Sequence, residues 1–159
     1  MAILATASLV AATVTTGLTA GLLYAFAHTV MPGLGRTDDR TFVGALQAID
    51  RAVINPWFMA GFLGGPAFTL AALLIGAVRG AALGWLLTAL VLHVAVLVIT
   101  MAVNVPMNNR LQAAALDRPV DLAAARQRFQ ARWVRWNAVR TIAAVAAFVA
   151  LAVALISAG

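Results

Sequence analysis

Four long apolar runs, parted by short polar segments, occupy most of this chain: residues about 2–30, 55–78, 81–105 and 133–157. Each is long enough for the about 20 residues that a helix needs to cross the hydrocarbon core of a bilayer. The runs predict an all-α protein, a four-transmembrane-helix antiparallel bundle in one integral membrane domain over 1–159. Met31-Pro32-Gly33 is expected to end the first span, because proline disfavours helix at the residue before it. That run lacks a basic leader and is too long for a secretion signal, so it is expected to stay in the mature protein.

The polar segments carry shorter helical signals. In Thr37–Val53, Phe42, Leu46 and Ile49 recur at spacings of four and three. That predicts an amphipathic interfacial helix capped by Thr37 or Asp38. Asn55-Pro56 opens span two, where Gly61, Gly64, Gly65 and Pro66 permit a kink and close helix approach. Gly61 and Gly65 form a GxxxG pair that suggests a homo-oligomer. Arg79-Gly80 reads as a tight turn. Pro106 ends or kinks span three. Residues 108–132 are arginine-rich and partly helical, with span four beginning near Trp133.

Composition agrees: 64% of residues are hydrophobic and 10% charged, against about half and a quarter in soluble domains. The net charge of +6 raises nucleic acid as a partner, but the basic residues are all arginines that mostly flank spans, so anionic headgroups explain them better. Absence of cysteine excludes disulfides and thiolate chemistry. Absence of lysine excludes Schiff bases. Arg36, Arg40 and Arg51 lie in the first connection, and Arg110, Arg118, Arg126, Arg128, Arg132 and Arg135 in or beside the third. The second has only Arg79. The positive-inside rule makes the first and third connections cytoplasmic and both termini external, in a bacterial-type plasma membrane.

Polar residues gather at one depth. Tyr24 and His28 close span one, and Asn55 and Trp57 open span two. Asn104, Asn108 and Asn109 close span three, and Trp133, Trp136, Asn137 and Arg140 open span four. Polar groups in the membrane are costly, so this convergence predicts a shared cavity at the cytoplasmic end. Arg140, about 10 Å inside span four, either snorkels to the interface or points inward to bind an anionic oxygen. His28 shares a face with Thr13, Gly17, Ala20 and Tyr24, and is either an interfacial histidine or a general base. His93, with Thr100 and Asn104 on its face, reads as a buried neutral histidine. A haem or metal held by His28 and His93 is a further reading, without support from ligand spacing. Asp50 reads as solvated, with Arg51 or Arg140 as conceivable partners.

Taken together, Gly21-Leu-Leu-Tyr-Ala-Phe-Ala-His-Thr-Val-Met-Pro-Gly-Leu34, Ile54-Asn-Pro-Trp-Phe-Met59, Asn104-Val-Pro-Met-Asn-Asn109 and Trp133-Val-Arg-Trp-Asn-Ala-Val-Arg-Thr141 resemble the DUF1772, or anthrone oxygenase, family. The likeness extends over nearly the whole chain. It implies a membrane-embedded oxygenase that converts the methylene of a polycyclic phenolic anthrone to a quinone carbonyl with dioxygen, without metal or flavin. Placed by motif, the expected roles are His28 as base, Tyr24 orienting it or the substrate, and Arg140 with Asn104 or Asn137 as oxyanion donors. Trp57, Trp133 and Trp136 would stack on the rings, with Asn108 and Asn109 also binding substrate. The competing readings are a carrier or assembly subunit, which needs the cavity but no base, and a haem or quinone redox protein.

Overall fold

Lipid offers no partner to an unpaired peptide group, so apolar runs of this length fold as helices. The computed structural model describes residues 2–75 and 80–158, and among them only helices form regular structure. The first span joins α1 (Ala2–Ala25), a five-residue π-helical turn (Phe26–Val30) and α2 (Met31–Leu34). α3 (Asp39–Val53) follows, then α4 (Pro56–Ile75) as the second span. The third joins α5 (Ala81–Ile99), a second π-turn (Thr100–Asn104) and α6 (Val105–Gln112), and α7 (Pro119–Ser157) is the fourth. All four are long and apolar enough to cross a membrane. α1 packs on α4 and α7, α5 packs on α7, and α4 meets α5, which closes the expected four-helix bundle.

The span ends differ in detail from the expectation. The first span ends at Leu34, just past Met31-Pro32-Gly33, and Pro106 marks an irregularity within span three, the second of its two expected roles, rather than its end. A helical proline lacks an N–H and its ring collides with the carbonyl four residues back. Here the preceding turn widens, so that Met31 N–H reaches the Phe26 carbonyl and Val105 N–H that of Thr100. The helices then run on to Leu34 and Gln112. Span four is the end of a longer rod: α7 starts at Pro119, a residue suited to a first helical turn, and continues for 39 residues. That is about 58 Å against a hydrocarbon core of about 30 Å. The arginine-rich half of α7 therefore stands clear of the core.

α3 covers that end of the bundle. Asp38, not Thr37, caps it, accepting from the Thr41 hydroxyl at 2.6 Å and the Thr41 N–H at 3.0 Å. These bonds hold its carboxyl below the usual carboxylate range. The predicted apolar face is real: Phe42, Val43 and Leu46 are buried against Met107, Leu111, Phe129 and Trp133. Gln47 staples α3 to the end of α6, donating to the carbonyls of Leu111 at 2.9 Å and Ala114 at 3.0 Å.

The glycines of α4 allow close contacts within the bundle. A Cβ on Gly64 would stand 2.9 Å from Thr15 Cγ2, and one on Gly65 2.7 Å from Thr16 Oγ1. His93 Nε2 lies 3.0 Å from that same Thr16 hydroxyl, which joins α5 to α1 beside Gly65. Gly80 enters α5 at φ +62°, a conformation that favours glycine. Arg79, and the expected end of span two at Val78, lie outside the described residues.

Candidate active site

Beneath α3, beside the π-turns of the first and third spans, a cavity of about 380 Å³ opens between the helices. That is within the range of small-molecule sites, about 300–1,000 Å³. Leu23 and Phe26 from the first span, Ile49 from α3, and Phe58 and Phe62 from α4 supply apolar wall. Phe58 and Phe62 stack with centroids 5.4 Å apart. Leu22, Ile54, Met59 and Met101 also line the cavity and are exposed on the bundle's outer surface. The cavity is therefore bordered by residues that face lipid.

Its polar groups come from the third and fourth spans and α3. Arg140 is 8% exposed. Its Nε donates to Asn137 Oδ1 at 3.1 Å and its Nη1 to Thr100 Oγ1 at 3.3 Å. Its Cζ lies 5.3 Å from the Trp133 ring centroid. Asn137 is held in turn by the Leu23 carbonyl, 3.2 Å from its Nδ2. No carboxylate pairs with Arg140 among the described residues. A buried charge without a counter-ion is costly. Asn104, in the second π-turn, is 1% exposed, and neither its Oδ1 nor its Nδ2 has a hydrogen-bond partner. Each such orphaned polar group costs about 1–3 kcal/mol. Both residues line the cavity. A ligand oxygen within reach would pair with Arg140 and with the Asn104 Nδ2 donor, while Asn104 Oδ1 would need a donor of its own.

Asp50 completes the lining. Its Oδ1 accepts from Asn108 Nδ2 at 2.6 Å and its Oδ2 from Gln112 Nε2 at 3.0 Å. Asn108 Oδ1 in turn accepts from Trp133 Nε1 at 3.0 Å. A continuous series of contacts thus runs from Asp50 through Asn108 and Trp133 to Arg140. The expectation of a solvated Asp50 is corrected: it is half-buried and part of the cavity wall. Asp50 follows buried Leu46 by four residues and so shares its face, but that spacing does not show what packs against it.

Among the residues singled out from sequence, Asn104, Asn108, Asn109, Trp133 and Arg140 meet at the cavity, and Asn137 stands behind Arg140. The inward guanidinium, not the snorkelling one, is the arrangement found. Tyr24, His28, Trp57 and Trp136 are outside the cavity lining. Tyr24 and His28 stack on each other at 4.1 Å on the exposed side of the first span, where His28 Nδ1–H donates to the Tyr24 carbonyl at 3.1 Å. Their neighbours Leu23 and Phe26 take the inner face. The expected meeting of His28 with Arg140 and Asn104 does not form. Trp57 is 88% exposed, the setting of an interfacial tryptophan. Trp136 packs beside the cluster of Phe42 and Phe129. His93 is buried at the α1–α5 contact while His28 is exposed at the span's end, so the two do not share a ligand site. Among the described residues no group of three His, Asp or Glu side chains gathers where it could hold a metal ion.

Fold and cavity define a four-span membrane protein with a partly polar chamber at one end. A family model described as anthrone oxygenase matches residues 55–150, and the chain belongs to that family, DUF1772. The match takes in Asn104, Asn108, Trp133, Asn137 and Arg140, and leaves Tyr24, His28 and Asp50 outside. No curated protein and no solved structure matches the chain.

Proposed function

We propose that the chain is a membrane-embedded oxygenase acting on an apolar, polycyclic phenolic ketone of the anthrone type, and that the 380 Å³ cavity is its active site. The observation that carries this reading is that Arg140, buried without a carboxylate, lines the same cavity as the unpartnered amide of Asn104. An anthrone presents the matching chemistry. Loss of a proton from its methylene carbon puts negative charge on the ketone oxygen across the ring, where a guanidinium and an amide stabilise it. The electron-rich anion passes one electron to dioxygen, and the radicals recombine as a carbon-bound peroxide. Loss of the second methylene hydrogen with cleavage of the O–O bond leaves the new carbonyl and water. Each dioxygen thus supplies one carbonyl oxygen and one water oxygen. The substrate carries its own electron source, so the proposed reaction needs no resident metal or flavin.

Phe26, Phe58 and Phe62 give the cavity an aromatic wall for a flat substrate, and the exposed rim of Leu22, Met59 and Met101 suits a substrate dissolved in the bilayer. By arginine distribution the chamber belongs at the cytoplasmic end. The test is turnover of a dihydroxyanthrone by protein in lipid nanodiscs under heavy-oxygen-labelled dioxygen. The reading expects quinone formed faster than in protein-free nanodiscs, with one labelled atom per product. Binding of the anthrone without turnover would favour a carrier.

A further inference from the structure

We propose that Asp50 is the general base of this site, a role that rests on the oxygenase reading above. The deprotonation that starts the chemistry requires a group within hydrogen-bond reach of the substrate carbon. His28, the obvious candidate by residue type, is exposed and outside the cavity lining. The other histidine, His93, is buried at the helix contact with Thr16 and also lies outside the lining. Asp50 and Arg140 are the ionisable groups that do line it, and Arg140 has no acceptor capacity.

The geometry suits Asp50 to the task. Asn108 and Gln112 each give one oxygen a hydrogen bond, at 2.6 and 3.0 Å. Both donors are neutral amides, and an ionised carboxylate has about four acceptor positions, so the group is aimed without being saturated. Asn108 is itself fixed by Trp133 Nε1, whose ring is the nearest aromatic neighbour described for Arg140. Asp50 and Arg140 line one cavity from α3 and α7, so an aromatic ketone lying in it with its oxygen at Arg140 would turn its methylene, on the opposite side of the central ring, toward Asp50. A carboxylate base paired with strong oxyanion donors is a workable combination for removing a proton activated by a ketone.

The balance closes on this one residue. The Asp50 carboxylate takes one methylene proton, and the electron pair moves to the ketone oxygen. After dioxygen adds, the protonated Asp50 returns its proton to the peroxide anion. It then takes the second methylene hydrogen as the O–O bond breaks, and passes it to the departing hydroxide as water.

Deprotonation is isolated from oxygenation by measuring deuterium exchange into the methylene of a dihydroxyanthrone, without oxygen, in deuterated buffer. Wild type is expected to accelerate exchange over protein-free nanodiscs. Asp50→Asn should lose about a hundredfold or more of that acceleration while still binding the anthrone, and His28→Ala should exchange at the wild-type rate. Asp50→Ala with added formate supplies a second arm, because a small carboxylate restores a missing base but not a missing structural contact. Exchange by Asp50→Asn at the wild-type rate, or Asp50→Ala unchanged by formate, overturns the assignment while leaving the oxygenase reading intact. A wild type that neither exchanges nor oxygenates overturns the oxygenase reading, and this one with it.

Discussion

Arg140 and Asn104 face one cavity from two different spans, the first without a paired carboxylate and the second without any hydrogen-bond partner. Polar groups held in this way lower stability unless something binds them. A bundle of only four helices retains both at the same place. Apolar residues would fill the space more cheaply, so the arrangement points to a ligand with an oxygen that carries charge.

Removal of the guanidinium therefore separates activity from stability. Arg140→Met is expected to reduce dihydroxyanthrone turnover on the order of a hundredfold or more, the scale for one lost oxyanion donor. Its thermal unfolding temperature should change little, because the loss of a buried unpaired charge offsets the loss of the donor to buried Asn137 Oδ1. Arg140→Lys should keep part of the rate, since it keeps the charge but loses the fork of donors. Turnover that survives in Arg140→Met would sink the role.

Asn104 gives the companion case with a neutral group. Asn104→Leu exchanges an orphaned amide for an apolar side chain of similar size. Stability should rise by about 1–3 kcal/mol, and affinity for a dihydroxyanthrone should fall. The measurement is unfolding and binding on the same nanodisc sample. A loss of stability would mean that the amide has a partner in the ligand-free protein and is not reserved for substrate.

Gly65 tests how the upper bundle is assembled. An added Cβ would stand 2.7 Å from Thr16 Oγ1 and 3.0 Å from His93 Nε2. Thr16 is short and buried, so it has little freedom to move away. Gly65→Ala is expected to cost about 1–3 kcal/mol through overpacking. Gly84, in α5, has nothing within 4 Å of its Cβ position, so Gly84→Ala should be neutral or slightly stabilising. Should Gly65→Ala instead dissociate an oligomer and leave the stability of the single chain unchanged, the glycine belongs to an interface between copies.

The sequence revealed the parts of this protein governed by length and hydropathy. Four spans, an amphipathic α3 and a polar end to the bundle follow from runs of apolar residues and the spacing of Phe42 and Leu46. Facing was harder to read. Tyr24 and His28 do share a face, as their spacing says, but that face is already exposed at Tyr24, before the π-turn at Phe26–Val30 begins, and spacing alone does not tell which side of a span turns inward. Asp50 was misread for the opposite reason. A carboxylate on an amphipathic helix is usually solvated, and only the arrival of Asn108 and Gln112 from α6, over fifty residues away in the chain, makes it a wall of the cavity.

Charge alone also concealed Arg126, one of the arginines first assigned to headgroups. Its Nη1 donates to the Thr37 carbonyl at 2.7 Å and to Asp39 Oδ1 at 3.0 Å, and its Nη2 to the Gly35 carbonyl at 2.8 Å. Its Cζ sits 4.6 Å from the Phe42 ring centroid. The guanidinium thus pins the whole first connection to α7. The ion pair is the weaker part, because Asp39 is 41% exposed and such pairs contribute about 0–1 kcal/mol. The two backbone carbonyls have no side-chain substitute. Arg126→Ala should therefore cost on the order of 2–3 kcal/mol, and Asp39→Asn less than about 1 kcal/mol. Arg126→Lys should behave like the alanine variant, since one ammonium cannot reach both carbonyls and the ring. Thermal unfolding of the three variants decides it: equal losses in Asp39→Asn and Arg126→Ala would assign the stabilisation to the ion pair instead.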